Sequence, residues 1–101
     1  MFIGRVVGTV VSEINDEVYE NRKILVIDRL TPEGEPDGTY VLGIDTVDAG
    51  LGEVVLYIDE GNSARQVVGM PNAAIRTVIV GIVDEVLVEG REVWRPQNEP
   101  L

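Results

Sequence analysis

The sequence predicts a mainly β protein, a small closed barrel of five to six strands with one short helix. Three observations lead to this prediction. Several short segments alternate with the period of two that strands require, clusters of glycine, proline and aspartate separate them, and valine and isoleucine are frequent among the apolar residues. The length of 101 residues fits a single domain.

The first predicted strand covers residues 2–12. The even-numbered positions up to 10 fall on one face of this strand, and two of them, Gly4 and Gly8, are glycines. A glycine within a strand usually marks a bend or the close approach of another backbone. Small closed barrels need such points to coil their strands, so these glycines favour a barrel.

Two further strands follow in the first half of the chain. Residues 13–22 are mostly polar and are predicted to form a surface loop, and residues 23–30 are predicted to form the second strand. Turn residues crowd positions 31–38, which indicates a hairpin leading to a third strand at residues 39–47.

The central stretch, D-T-V-D-A-G-L-G-E-V-V-L-Y-I-D-E-G-N-S-A-R, covers residues 45–65. Its glycines, where we expect a bend or a close backbone approach, are Gly50, Gly52 and Gly61. We expect a positive φ at Gly50 in particular. A strand lies between the two bends, and one of its faces is apolar, formed by Val54, Leu56 and Ile58.

The last third of the chain contains one short helix and more strand. Residues 63–68 are predicted to form a helix with Ser63 or Asn62 as its N-cap. Residues 73–88 are too rich in β-branched side chains to favour a helix. A turn at Glu89 and Gly90 then leads to a final strand that ends near residue 95.

This set of elements contains no repeat and no linker. It fits the oligonucleotide-binding type of barrel or a near relative. We expect residues 1–95 to form the single β-barrel domain and residues 96–101 to form a C-terminal tail.

The composition argues against several classes of function. With no histidine and no cysteine, the usual nucleophilic triads cannot form, and of the two serines, Ser12 and Ser63, the second is better explained as a cap or turn residue. Eighteen acidic against eight basic residues give a charge of −10, which opposes binding to nucleic acid and to anionic lipid. No signal peptide and no apolar run of about 20 residues is present, so we expect a cytoplasmic protein.

Three acidic or glycine-rich features leave other readings open. Asp45, Asp48 and Glu53 surround the glycine turn as a paired-carboxylate site would, but a solvated loop in which Asp45 and Glu53 bind turn amides is favoured. The second feature is the acidic tip of the predicted hairpin, with Glu33, Glu35 and Asp37. These residues lack the spacing of an EF-hand loop, so a calcium site of that type is not predicted.

The third feature is the Gly50-Leu51-Gly52 run, a partial dinucleotide fingerprint. A third glycine would be needed at position 55, which is valine, and a strand follows instead of a helix. We therefore predict no catalytic residue, no metal and no cofactor.

Three segments resemble the family of vertex proteins of bacterial microcompartments, which includes the carboxysome and ethanolamine-utilisation vertex proteins. They are M-F-I-G-R-V-V-G-T-V-V-S at residues 1–12, the central stretch, and P-N-A-A-I-R-T-V-I-V-G-I-V-D-E-V at residues 71–86. The segments occur in the family's order. Asp48 stands where the family commonly has glycine, and Asn72 where it commonly has aspartate.

The resemblance implies a structural protein, a homopentamer that caps the vertices of a microcompartment shell beside hexameric shell proteins. The residues that it implies for the subunit interface and pore loop are Asp48, Ala49, Gly50, Leu51, Gly52, Ser63, Ala64 and Arg65. From the residues alone, Arg65 is equally an exposed solubilising charge or an intersubunit anchor. The rival functions are a monomeric barrel that binds a small ligand or protein partner and, less favoured, a carboxylate-dependent hydrolase.

Overall fold

The computed structural model describes residues 1–10, 22–69 and 76–96, apart from the side chains of Asn62 and Arg65. Its elements in chain order are β1 (Phe2–Val10), β2 (Ile24–Leu30), β3 (Pro36–Asp45), β4 (Val54–Asp59), α1 (Gly61–Val68), β5 (Thr77–Ile82), β6 (Val86–Val88) and β7 (Arg91–Trp94). The predictions for residues 11–21, 70–75 and 97–101 lie outside this description.

Five of the strands form a closed barrel in the order β1-β2-β3-β5-β4. β1 lies between β2 and β4, and both pairings are antiparallel. The β3–β5 pairing is parallel and joins only two residues of each strand. The predicted small barrel with one short helix is therefore confirmed, and β6 and β7 form a separate hairpin outside the barrel.

The barrel has one interior core and a second, smaller cluster on its outer surface. The interior core consists of Val6, Leu25, Ile27, Ala49, Val55, Tyr57 and Ile79. The outer cluster consists of Ile44, Ala64 and Val78, with Val68 and Val80 packed against it. Because Ala64 and Val68 belong to α1, the helix covers one patch of the outer surface.

The interior face of β4 is not the apolar face formed by Val54, Leu56 and Ile58. Val55 and Tyr57 point into the core, whereas Leu56 and Ile58 are half-buried. Both faces of this strand are apolar, so the alternation alone did not identify the inner one.

Gly4 is the point of closest approach inside the barrel. A Cβ atom at this position would lie 2.2 Å from Ile27 Cγ2 and 3.1 Å from the Asp28 carbonyl oxygen. At Gly8 the nearest atom would be Val26 Cγ2 at 3.5 Å, an ordinary contact. A bulge between Val6 and Gly8 interrupts the pairing with β2, so the alternation expected for residues 2–12 does not run unbroken.

Two strand boundaries differ from those predicted. The hairpin turn is shorter, because Thr31 N–H donates to the Glu35 carbonyl and β3 already begins at Pro36. The apolar segment at residues 73–88 is split between β5 and β6. Val83 N–H still bonds to the Val54 carbonyl, but Val54 is the first residue of β4, and the chain leaves the barrel there.

The helix begins earlier than predicted, at Gly61, and its N-cap is neither Ser63 nor Asn62. The Glu60 carboxylate accepts hydrogen bonds from the Ser63 backbone N–H at 2.9 Å and from its hydroxyl at 2.7 Å. Ser63 is therefore the third helical residue, and Glu60 satisfies a free donor of the first turn.

We predict that Gly4→Ala destabilises the fold by about 1–3 kcal/mol or more, because the added methyl group overpacks the core. The matched control is Gly8→Ala on the same strand, which should leave stability within about 0.5 kcal/mol of the original because the methyl group makes only an ordinary contact with Val26. Urea unfolding of the two variants provides the measurement. Equal losses in both would contradict the close approach at Gly4.

Candidate functional site

The loop between β3 and β4, residues 46–53, contains most of the residues that the sequence singled out. It begins directly after Asp45, the last residue of β3. Ala49 is buried in the interior core, and Gly52 is also buried. Only Asp48 and Leu51 of the five predicted loop residues are exposed, so they are the side chains that the loop offers to another molecule.

The Asp45 carboxylate fixes the first half of this loop. One oxygen accepts the Val47 backbone N–H at 3.0 Å, and the other accepts the Ala49 N–H at 2.9 Å. The side chain of Asp45 is 1% exposed. A buried carboxylate with two amide donors is a strong acceptor, and it satisfies backbone groups that the turn would otherwise leave unpaired.

Lys23, just before β2, neutralises the same carboxylate. Its ammonium group lies 3.3 Å from Asp45 and 2.9 Å from Asp48, and it donates to the Ala49 carbonyl at 3.1 Å. The pKa of Lys23 is raised, chiefly by the hydrogen bond to Asp48 and further by Asp45, while burial opposes the shift. The contribution of the Lys23 shift to stability is therefore complete at neutral pH and is lost as the pH rises through this raised pKa.

The second half of the loop is attached to β1. Gly52 N–H donates to the Val6 carbonyl at 2.8 Å, and Val6 N–H donates to the Glu53 carbonyl at 2.9 Å. Arg5 donates from Nη1 to the Gly52 carbonyl at 2.7 Å. The Glu53 carboxylate turns back to accept the Gly50 N–H. The loop is thus held from both sides, and its exposed tip has a defined shape.

The backbone conformation of the loop corrects the expectation for Gly50. The positive φ values occur at Asp48, with 57°, and at Gly52, with 88°, but not at Gly50. Asp48 adopts the left-handed conformation that glycine favours. Its ion pair with Lys23 accompanies this conformation.

The carboxylates of the loop are engaged in structural contacts. As predicted, Asp45 and Glu53 bind turn amides, and Asp48 pairs with Lys23. In the hairpin tip, Asp37 pairs with Arg29, and this contact lowers the pKa of Asp37. Within the described residues, no group of three or more acidic side chains is arranged to hold a metal ion. This geometry suits a preformed contact surface better than a reaction centre.

The other predicted site residues lie on α1 and not in the loop. Ala64 is fully buried in the outer cluster against Ile44 and Val78, and Ser63 is held by Glu60. The side chain of Arg65 lies outside the described part of the chain, so both readings of this residue stay predictions. Sequence reasoning missed Lys23 and Arg5, because each acts on a loop far along the chain and no local motif marks it.

A family model described as "Ethanolamine utilisation protein EutN/carboxysome" matches residues 1–84. The chain belongs to the EutN/CcmL family. The predicted family is thereby confirmed. The match includes the strands of the barrel and the whole loop between β3 and β4.

Similar proteins in this family are shell vertex proteins. The bacterial microcompartment shell vertex protein GrpN of Rhodospirillum rubrum is 45% identical over 86 residues, which are 85% of this chain and 96% of GrpN. The carboxysome shell vertex protein CcmL of Gloeobacter violaceus is 36% identical over 98% of both chains. These names agree with the predicted structural, non-enzymatic class and with a place in a microcompartment shell.

Solved structures of the EutN/CcmL family have the same fold. The structure of Gloeobacter violaceus CcmL superposes with a TM-score of 0.83 at 37% identity, covering 94% of this chain and 97% of CcmL. GrpN of Rhodospirillum rubrum, described as a pentameric microcompartment shell protein, gives a TM-score of 0.77 at 42% identity over 87% of this chain and 99% of GrpN. No helix in the described part of the chain is long and apolar enough to cross a membrane.

We predict that Asp45→Asn destabilises the fold by about 1–3 kcal/mol, because a side-chain N–H then faces a backbone N–H and the charge opposite Lys23 is lost. The matched control is Asp48→Asn, which removes an ion pair of Lys23 from a side chain that is 95% exposed. That change should cost less than about 1 kcal/mol. Thermal unfolding of both variants at pH 7 tests the contrast, and an Asp48 variant that loses more stability than the Asp45 variant would contradict it.

We also predict that Gly52→Ala costs more stability than Gly50→Ala. An alanine at position 52 must adopt a φ of 88°, and left-handed conformations cost residues with a Cβ atom about 1–2 kcal/mol. At position 50 the nearest atom to a new Cβ would be Glu53 Oε1 at 3.0 Å, the end of a flexible side chain. Urea unfolding of the two variants gives the order, and the reverse order would show that the turn is centred on Gly50.

Proposed function

We propose that this chain is a structural subunit that forms homopentameric vertices of a bacterial microcompartment shell, in contact with hexameric shell proteins. The observation that carries this proposal is the match to GrpN, a pentameric shell protein that shares 42% identity over 87% of this chain. The fold, the family and the loop geometry are consistent with it.

The mechanism is geometric. A flat layer of hexameric tiles has no curvature, and units with fivefold symmetry inserted at the corners let the layer close into a polyhedron. A cyclic ring built from one repeated contact provides such a unit. The subunit therefore needs a rigid body and fixed contact surfaces, and a reaction centre is not required.

The structure supplies the rigid body. The barrel is closed, and the loop between β3 and β4 is held by Asp45, Lys23 and Arg5. We propose that residues 48–52 line the inner side of the ring, where the exposed Asp48 and Leu51 meet neighbouring subunits. The helix α1 contributes Ser63, Ala64 and Arg65 to the contact between subunits. The buried Ala64 fixes the position of the helix on the barrel.

The rival function as a monomeric binding module receives less support. Barrels of this type often bind single-stranded nucleic acids. A protein that does so needs aromatic side chains for base stacking and basic residues in the same groove. The chain has five aromatic residues and a charge of −10. We therefore expect no nucleic-acid partner.

We predict that co-expression with hexameric shell proteins from the same microcompartment gives closed, roughly icosahedral particles, because the pentamer provides the corners. Without this chain, the same hexamers should give open or elongated assemblies in electron micrographs. Native mass spectrometry of the purified chain should show roughly five times its mass of 11.0 kDa.

The matched control for this experiment is Gly8→Ala, which should close shells as the original chain does. Identical closed particles with and without the chain would contradict the vertex role. A stable monomer or hexamer at micromolar concentration would contradict the pentamer.

A further inference from the structure

A fivefold ring places a strict demand on the surface of its subunit. An odd cyclic symmetry contains no twofold contacts, so each subunit must present two different surfaces, one to each neighbour. This inference rests on the proposed pentamer. Two surfaces of the described chain are apolar and exposed.

The first such surface is an outer patch on β2 and β3, formed by Val26, Tyr40 and Leu42. Leu25 and Ile27 point into the core, so Val26 between them faces outward, and it pairs across the strands with Leu42. Tyr40 is 65% exposed and Leu42 is 58% exposed. Apolar side chains of this size on the outside of a small barrel indicate a contact surface.

The outer patch continues a row of outward-facing residues on β3, and the described part of the chain covers this row only at one end. Ile44 follows Leu42 on the outer face of β3 and is buried beneath α1. Among the described residues, β5 pairs with β3 only at Ile44 and Asp45, and Thr77 at the start of β5 lies beside Gly43. No described strand pairs with this edge of β3 before Ile44. Another chain could therefore contact the outer patch and this unpaired edge of β3 at the same time.

The second surface is the arm, the β6–β7 hairpin at residues 86–94. It forms a separate two-stranded sheet, and such a hairpin is at best marginally stable in water without a partner surface. It nevertheless exposes Leu87 at 54% and Val88 at 44%, together with Val93. The arm therefore has apolar side chains that its own barrel does not cover.

The base of the arm is fixed on its own subunit. A Cβ atom at Gly34 would lie 2.3 Å from Cε2 of Trp94, so the indole ring packs directly on the backbone of the β2–β3 turn. Because Trp94 holds the end of β7, the face of the arm that carries Val88 and its pair Arg91 is presented in a defined direction. Leu87 lies on the opposite face.

One basic side chain of the arm and one acidic side chain of the outer patch are placed to complement each other. Arg91 pairs across the arm with Val88, and within the described residues it has no acidic side chain within ion-pair distance. Asp28 pairs across the strands with Tyr40 in the outer patch, and it likewise has no ion-pair partner among the described residues. In a chain with only eight basic residues, an unpaired arginine beside an exposed valine complements that aspartate.

We propose that the arm of each subunit covers the outer patch of the next subunit in the ring, with Val88 against Tyr40 and Leu42 and with Arg91, on the same face of the arm, facing Asp28. This contact is heterologous, as a fivefold ring requires. It buries apolar side chains of both surfaces, including the one on the arm that its own barrel leaves exposed.

Engineered cysteines test the contact directly, because the natural chain has none. In the Leu42→Cys/Val88→Cys variant, a short bismaleimide reagent should link neighbouring subunits and produce a denaturing-gel ladder that ends at five chains. The control variant Thr9→Cys/Val88→Cys pairs the arm with an exposed position on β1. It should remain almost entirely monomeric on the same gel.

Native mass spectrometry of both variants before linking separates this inference from the proposed function. Pentamers with a ladder only for the 42/88 pair support the contact. Pentamers without a ladder, or with equal ladders in both variants, overturn the contact and leave the ring intact. A wild-type chain that is monomeric overturns the ring and the contact together.

If the cysteine variant does not assemble, exchanging the charges of Asp28 and Arg91 tests the same contact. Asp28→Arg and Arg91→Asp should each weaken subunit association about tenfold, because each places like charges opposite one another. The double variant should restore association to within about twofold of the original. Two single losses that simply add in the double variant would overturn the proposed pair.

Discussion

The barrel depends on one short seam, where Ile44 and Asp45 of β3 pair with Val78 and Ile79 of β5. All other barrel pairings are antiparallel and longer, so this two-residue parallel contact is what turns a sheet into a closed body. A side-chain hydrogen bond from Thr46 reinforces this seam, and the side chain of Asp45 fixes the loop beside it. The Thr46 hydroxyl donates to the Ile79 carbonyl at 2.6 Å, and the Asp45 carboxylate accepts two amides of the adjoining loop. Closure of the barrel and the shape of the loop are therefore set at the same place.

The apolar residues on both sides of the strands explain why such a small barrel suits an assembly. The interior core fills with residues of every barrel strand and with Ala49 from the loop, whereas α1 covers only the patch around Ile44. The remaining outer surface keeps large apolar side chains such as Tyr40 and Leu42 in contact with water. Burying them against other subunits adds hydrophobic free energy that a domain of this size does not gain alone. A net charge of −10 repels free subunits electrostatically from acidic polymers such as nucleic acids.

The sequence predicted the class of fold and the family, but not how the loop is held. Strand alternation and turn residues are local signals, and they located the barrel strands to within a few residues. The positive φ at Asp48 was missed because its partner Lys23 lies before β2, and no local pattern links the two. The N-cap was missed because Glu60, an uncommon residue for that position, takes the role expected of Ser63 or Asn62. The break between β5 and β6 depends on where β4 begins, which is a property of the sheet and not of the segment.

The position of β1 between β2 and β4 also governs the order in which the barrel can form during synthesis. β2 follows β1 early in the chain, but Phe2 pairs with Tyr57, and β4 pairs in turn with β5. Until the ribosome has released those later strands, one backbone edge of β1 has no strand to pair with, and the valine side chains of β1 are not yet covered. Such an edge is a template for pairing with other nascent chains, and contacts that are distant in sequence form slowly. The period before β4 and β5 emerge is therefore the time at which this subunit is most prone to aggregate.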